Sequence, residues 1–413
     1  MSFRINHLQS LHPAFLLTNL TWFGKNLKGY YSINVMKISF LIYSYFPYGG
    51  QQRDFLRIVN ACLSRGHEID VYTMKWQGEL PEALNLITVP VKAMSKTKLY
   101  RRFTQWVEKA LSRQMPHPVF GFNKMPLLDL YFAADPCFAE KADRQRGAYY
   151  KYTPRYRHFK NYENAIFGDS SKTHALILSP QQHHAFLKYY PDCSERLHTV
   201  PPGISRDRMV SSRDVAARRQ FREEFSIADD TVLLLQIGSG FRVKGVDRSL
   251  RALASLPVRM RRNTHFMLVG QDKPRRFEKL ARRLGVSEQF SVLSGRDDIP
   301  RFLAGADLLL HPAYVESAGY VLLEATIAGL PVLTTASCGY SFHIEQAQSG
   351  EVCSDPFSQD ELNTRLLAML ECLDMAPWSK NGLAYGKKDE LYALPEAVAD
   401  IIEELFLPEH GGG

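Results

Sequence analysis

From Met36 onward, short apolar runs alternate with stretches of helical periodicity. A first series reads KISFLIYSYF, then a helix from Gln51 to about Arg65, then EIDVYT, ITVPVK, VFGFN, LDLYFAA and HALILS. A second series follows the turn-rich HTVPPGI: TVLLLQIG, a helix after Lys244, FMLVG, a helix near Phe277 to Leu284, FSVLSG, LLLHPA, PVLTTA and EVCSDP. Strands that alternate with helices predict parallel sheets covered on both faces. The expected fold is therefore α/β, two Rossmann-like doubly wound domains facing a cleft. Pro201, Pro202 and Gly203 cannot lie inside a helix and predict a hinge over residues 198–204. This gives domains at 36–200 and 201–384. The amphipathic LPEAVADIIEELF, within 385–413, is expected to close the chain by packing back on the first domain. Residues 1–35 differ in texture, with a weak apolar patch at Pro13 to Leu17 and no small-residue cleavage site; they are expected to be an extension ahead of a natural start at Met36.

Composition narrows the classes. The chain has 413 residues, 45% hydrophobic and 23% charged, enough for a large core. No run reaches the roughly 18 apolar residues of a membrane-spanning helix. The net charge of +8 favours polyanions: nucleic acid, anionic lipid or phosphorylated small molecules. Six scattered cysteines without a Cys-x-x-Cys pair argue against structural zinc and a disulfide framework, and point to a reducing cytoplasm. There is no Asp-x-Asp, and no His/Cys/carboxylate set at metal-ligand spacing is legible, so no metal is expected.

In doubly wound sheets ligands bind beyond the carboxyl ends of the strands, so the loops there carry the candidate chemistry. After the first strand, Gly49 and Gly50 open a helix whose N-terminus attracts anions; Asp54 either serves substrate or offsets the helix dipole. After TVLLLQIG, the loop GSGFRVKG places Gly238, Gly240, Arg242 and Lys244 together. Its glycine spacing fails the dinucleotide fingerprint, although Asp272 could imitate the ribose acid, and it also fails the nucleotidase phosphate loop. A glycine turn with two cations suits a diphosphate on which charge builds; the bland reading is a solvated basic loop. In HPAYVESAGYVLLEATIAGLPVL, Glu316 precedes a helix expected to start at Ser317 to Gly319, and Glu324 lies on it. Eight residues of helix span about 12 Å, too far for a glycosidase acid pair but about the reach from sugar to ribose across a diphosphate. Otherwise Glu316 is a cap and Glu324 an exposed face residue.

Together, the Glu-x7-Glu stretch, the Lys-Gly turn at Lys244 and the two-sheet layout resemble retaining glycosyltransferases of the GT-B fold. FPYGGQQRDF, GFNKMPLLDLYFAADPCFAEK, PPGI, KGVDRS, VGQDKPRRFEKL, GADLLLHPAY and GLPVLTTASCGY resemble, more narrowly, the lipopolysaccharide core glucosyltransferase I family of Gram-negative bacteria. The resemblance implies a UDP-sugar donor, a lipopolysaccharide inner-core heptose acceptor, retention at the anomeric carbon and no metal or other cofactor. It implies that Glu324 binds the ribose, Glu316 the hexose, Lys244 with Arg242 the diphosphate, and the backbone at Ala318, Gly319 and Tyr320 the remaining phosphate oxygens. Arg296 would sit near the uracil, Gly49 and Gly50 would approach sugar and phosphate from the other domain, and Asp54 and Asp135 would line the acceptor side. Asp135 is the candidate acid or base there; its bland reading is a cap on a helix beginning at Pro136. Where many relatives carry Arg after the first glycine of the loop, this chain has Ser239, which leaves the second phosphate cation to Arg242.

The segment from Pro136 to Phe167 holds Lys141, Arg144, Arg146, Lys151, Arg155, Arg157 and Lys160 with Tyr149, Tyr150, Tyr152, Tyr156, Phe159 and Tyr162, a net charge of +4. Cations and amphipathic rings suit an anionic membrane surface, here the cytoplasmic face of the inner membrane; stacked bases, or simple core packing, are the other readings. The implied lipid-linked acceptor favours the membrane and makes a nucleic-acid partner unexpected. Two other functions compete: a non-catalytic basic protein binding membrane or nucleic acid, and a UDP-sugar epimerase of the same fold.

Overall fold

Two parallel sheets organise the chain in the computed structural model, which describes residues 35–47, 49–210, 213–372 and 375–407. The first has strands β1 (Lys37–Leu41), β2 (Glu68–Thr73), β3 (Leu84–Thr88), β4 (Val119–Gly121), β5 (Leu130–Phe132), β6 (His174–Ile177) and β7 (Leu197–Thr199), in the order β3-β2-β1-β4-β5-β6-β7. The second has β8 (Val232–Ile237), β9 (Thr264–Val269), β10 (Phe290–Leu293), β11 (Leu308–His311), β12 (Val332–Thr335) and β13 (Gly350–Cys353), in the order β10-β9-β8-β11-β12-β13. Both are doubly wound, as the alternating pattern predicts. The placing of His198 and Thr199 in the turn-rich stretch needs correcting: with Leu197 they pair with β6 as a partly buried edge strand before Pro201 and Pro202. The segment expected to precede Met36 lies, apart from Val35, outside the described residues, as do residues 408–413 of the closing segment.

Burial explains why the strands are apolar throughout. Leu233, Leu234 and Leu235 of β8 and Leu308, Leu309 and Leu310 of β11 are inaccessible, because helices cover both faces. In the first half, Phe40, Phe120, Phe122 and Phe132 from three strands pack with Phe55, with ring centroids about 5 Å apart at Phe55–Phe122 (5.0 Å) and Phe122–Phe132 (5.0 Å). Truncating one such ring costs on the order of 3–5 kcal/mol.

The helices that shape the cleft are α1 (Gly50–Ser64), α2 (Phe138–Gln145), α3 (Pro154–Phe167), α4 (Val246–Ser255), α5 (Tyr320–Ile327) and α6 (Leu394–Phe406). The strand order reverses between β1 and β4 in one sheet and between β8 and β11 in the other, which opens a crevice in each. α6 crosses from the second half to lie on α1. There Arg65 contacts Glu396 at 2.9 Å, Asp400 at 2.7 Å and Glu403 at 3.0 Å, and His67 meets Glu403 at 3.0 Å. Direct contacts also join the halves across the cleft: Arg53 to Glu324 at 3.3 Å, Ser179 Oγ to the Ser317 carbonyl at 3.0 Å and Arg144 to Asp355 at 3.0 Å.

Candidate active site

The loop after β8 is a tight turn fixed from several sides. Gly238, Gly240 and Gly245 all have positive φ, and a Cβ at Gly245 would collide with the Pro312 carbonyl, so the loop can lie against the β11 exit only with glycine there. Buried Gln236 donates to the Lys244 carbonyl at 2.6 Å and accepts from Ser249 Oγ at 2.9 Å. Asp272 does not face a ligand position: it accepts from the Phe241 and Lys273 amides at 2.9 and 2.7 Å and holds this turn closed. Ser239 accepts from the Gln271 amide at 3.2 Å. Arg242 is exposed and, among the described residues, in no ion pair.

The loop after β11 is pinned as firmly. Arg248 of α4 donates to the carbonyls of Pro312 and Ala313 at 3.2 and 3.0 Å, its guanidinium sandwiched between Tyr314 (3.7 Å) and Phe357 (3.5 Å). The Glu316 amide donates to the Ser337 carbonyl at 3.1 Å, and its own carbonyl accepts from Gly339 at 2.9 Å. α5 begins at Tyr320, later than the sequence expectation, because Gly319 takes a left-handed conformation with φ +101°. Glu316 thus stands on a fixed loop ahead of the helix, and the estimate of helical rise does not set its distance from Glu324.

These two loops assemble a charged cluster. Lys244 Nζ contacts one Glu316 oxygen, and His311 Nε2 lies 2.7 Å from the other. Burial pushes the Glu316 carboxyl up, but Lys244 and His311 together outweigh it and hold the group well below the usual carboxylate range. Cys338 completes the surroundings, its thiol pushed up to about 11 by burial and by Glu316. The ligand atoms of His311, Glu316 and Cys338 lie within 4.8 Å of one another. The expectation that no His/Cys/carboxylate set exists at metal-ligand spacing is thereby corrected; the set is split across two loops and invisible to sequence spacing. The cation that meets its carboxylate is the Lys244 ammonium.

Glu324 is buried, at 8% exposure, rather than exposed on a helix face, and meets Arg53 of the opposite half. It also borders a shallow groove with Arg208, Leu303 and Ala328. Arg53, Arg208 and His311 went unread in the sequence. His311 ends an apolar strand and could have been found by that position alone, whereas Arg53 gains significance only when the halves are brought together, and Arg208 only when the groove beside Glu324 is formed.

From the other wall, Gly50 opens α1 against the Tyr320 ring. Asp54 lies further along α1, buried beside Tyr320, Gly203, Arg57 and Arg53; among the described residues neither its Oδ2 nor the Tyr320 hydroxyl reaches a partner with good hydrogen-bond geometry, although the two groups lie close enough to influence each other. Burial pushes its carboxyl up to about 7, against the lowering influence of Tyr320, Arg57 and Arg53. That is a solvent-shielded acid, not a dipole-compensating surface group. Asp135 is exposed and caps nothing: α2 starts at Phe138, and its first amides are taken by Glu163, at 2.6 Å from Phe138 N and 2.9 Å from Ala139 N. Arg296 is exposed and paired with Asp298 at 2.7 Å.

The basic aromatic segment divides. Tyr162 is core, and Tyr156 packs against Phe138 at 5.6 Å. Lys160 donates to the Tyr190 hydroxyl at 2.8 Å, Lys151 pairs with Asp143 at 2.6 Å, Arg144 with Asp355, and burial lowers the affinity of half-buried Lys141 for its proton. Arg146, Arg155 and Arg157 are exposed beside Tyr149 and Tyr152, which are 89% and 76% accessible.

The second half carries a recognised sequence family, Glycosyl transferases group 1, over residues 217–382. Over 369 residues the chain is 48% identical to lipopolysaccharide glucosyltransferase WaaG of Escherichia coli (strain K12), covering 89% of this chain and 98% of that protein. The chain belongs to the WaaG family of glycosyltransferases. A crystal structure of WaaG superposes with a TM-score of 0.83 at 46% identity, over 91% of this chain and all of the other. Beyond the WaaG family, Anabaena Alr3699/HepE, solved with UDP and glucose, matches at a TM-score of 0.70 and 17% identity over 89% of this chain and 100% of that one, a likeness of fold. The protein is a GT-B glycosyltransferase.

Proposed function

We propose that this member of the WaaG family transfers glucose from UDP-glucose to a heptose of the lipopolysaccharide inner core, with retention and without a metal. The observation that carries the reading is the cluster of Lys244, Glu316 and His311 at one strand switch point, with Glu324 beside it on α5. In this reading Lys244 turns from Glu316 to the diphosphate, joined by the unpaired Arg242, and the two cations stabilise the charge that builds on the leaving UDP. Glu316 then accepts hexose hydroxyls, and Glu324 exchanges Arg53 for the ribose. The amides of Ala318, Gly319 and Tyr320 complete the phosphate cradle, and Gly49 and Gly50 approach from the opposite half. Arg296 serves the uracil only by leaving Asp298.

On the acceptor side, Asp54 has the affinity for a proton that near-neutral acid–base work needs, whereas exposed Asp135 suits contact with acceptor hydroxyls at the mouth. The domain limits at 36–200 and 201–384, joined by a hinge at 198–204, belong to the same proposal. So does a peripheral position on the cytoplasmic face of the inner membrane. Among the described residues no helix is long and apolar enough to cross a membrane, and exposed Arg146, Arg155, Arg157, Tyr149 and Tyr152 supply the chemistry of a surface contact.

The test is transfer of labelled glucose from UDP-glucose to heptose-terminated lipopolysaccharide, with NMR of the product. Incorporation with the donor's anomeric configuration is the expected result. Inversion would remove the retaining mechanism, and conversion of the donor without acceptor would favour the epimerase.

A further inference from the structure

We propose that His311 is a positioning residue for sugar transfer, holding one oxygen of Glu316 so that the other is free for the donor's hexose when Lys244 moves to the diphosphate. The inference rests on the donor-binding reading above and assigns a role to a residue that reading does not use.

His311 ends β11 with no accessible surface, and among the described residues its side chain hydrogen-bonds to Glu316 Oε2 alone, at 2.7 Å. Nδ1 is buried without a hydrogen-bond partner. Because Nε2 faces a carboxylate, that nitrogen carries the proton and donates. The strand end that aims the ring is itself fixed: the His311 carbonyl accepts from Thr334 Oγ1 at 2.9 Å and from the Cys338 thiol at 3.9 Å. The Glu316 backbone is tied to Ser337 and Gly339 of the facing turn. Main chain and one carboxylate oxygen are thus held in place.

The two partners of Glu316 differ in what they can do. Lys244 is long, partly accessible and mounted on a glycine-flanked turn, so it can exchange one anion for another. His311 is short, inaccessible and on a strand. If Lys244 alone held Glu316, its departure would leave a largely desolvated carboxylate with both oxygens unpartnered, at a cost of the kind that forces a group to rotate or take up a proton. With His311 in place, one oxygen stays bonded and the other faces the space Lys244 vacates. A fixed first contact of this sort matters because a displacement of about 1 Å can cost about 10²-fold in rate.

The experiment compares His311→Leu, which removes the donor, with His311→Gln, whose amide can reproduce the Nε2–H donation. For each variant it measures thermal stability, UDP affinity and the steady-state constants for UDP-glucose. The expected result is a fall in kcat of about 10²-fold for His311→Leu, with UDP affinity within about threefold of wild type because UDP has no hexose to meet Glu316, and recovery of most of the rate in His311→Gln. Wild-type rates in His311→Leu would overturn the proposal. Equal loss of rate and UDP affinity in both variants would also overturn it, by showing that the histidine only maintains the fold. A wild-type protein that bound no UDP would instead sink the donor reading itself, a separate failure.

Discussion

On the wall of the cleft built by the second sheet, the acids have partners within the protein: Glu316 has Lys244 and His311, and Glu324 has Arg53 from across the gap. On the wall built by the first sheet, Asp54 is buried with an unpartnered oxygen, and Asp135 stands exposed at the mouth. The first arrangement holds charges in place at little reorganisation cost, which suits a diphosphate donor that must be bound the same way each time. The second keeps one acid close to neutrality in its proton affinity, which suits proton movement. The difference teaches that burial alone does not set the behaviour of a carboxylate. Glu316 and Asp54 are both shielded and both have neighbours that lower their proton affinity, but Lys244 and His311 outweigh burial at Glu316, whereas burial outweighs Tyr320, Arg57 and Arg53 at Asp54.

Breaking the first wall gives the largest effect. Lys244→Ala removes the cation that would meet both Glu316 and the donor phosphates, and glucose transfer is expected to fall by about 10²–10³-fold, read as kcat/KM for UDP-glucose. Activity within twofold of wild type would mean that the paired cluster is only structural.

The second wall is sharpened by Asp54→Asn, read as stability against pH. The folded protein holds this carboxyl at about 7, whereas its ordinary value is 3.8, so between those values the folded state binds the extra proton and stability falls as pH rises. Above pH 7 the penalty for the buried charge is fully present. Asp54→Asn removes it, so Tm is expected to rise by several degrees at pH 8, with the gain fading toward pH 4. A gain of equal size at both pH values would assign the effect to packing instead.

The smallest effect is expected from the exposed edge of the first half. Exchanging Arg146, Arg155 and Arg157 for Gln should weaken flotation with phosphatidylglycerol vesicles, most clearly at low salt, and leave UDP affinity unchanged. Unaltered vesicle binding would remove this surface from the membrane account.

Much of this was legible in the chain itself. The apolar runs marked the strands because parallel strands covered on both faces leave no polar alternation to confuse them. β7 was missed because Leu197–Thr199 is a half-buried edge of three residues followed by prolines. Lys244, Glu316 and Glu324 could be singled out as candidates because each sits in a loop or helix just beyond a strand. Their partners were harder: Arg53 lies 271 residues from Glu324, and His311, only five residues before Glu316, is hidden as the last residue of an apolar strand. The bland alternative for Asp135, a helix cap, does not hold, because Glu163 from the following helix performs that task. A local motif cannot report a distant residue that supplies its hydrogen bonds.

The central claim is that the second wall binds the donor through Lys244 and Glu324. The most direct measurement is the thermal midpoint with and without UDP for wild type, Lys244→Ala and Glu324→Ala, since a ligand that binds only the folded state raises it. The account predicts an increase of several degrees for the wild type at millimolar UDP and little or none in either variant. An equal increase in all three proteins would contradict it and move the nucleotide elsewhere.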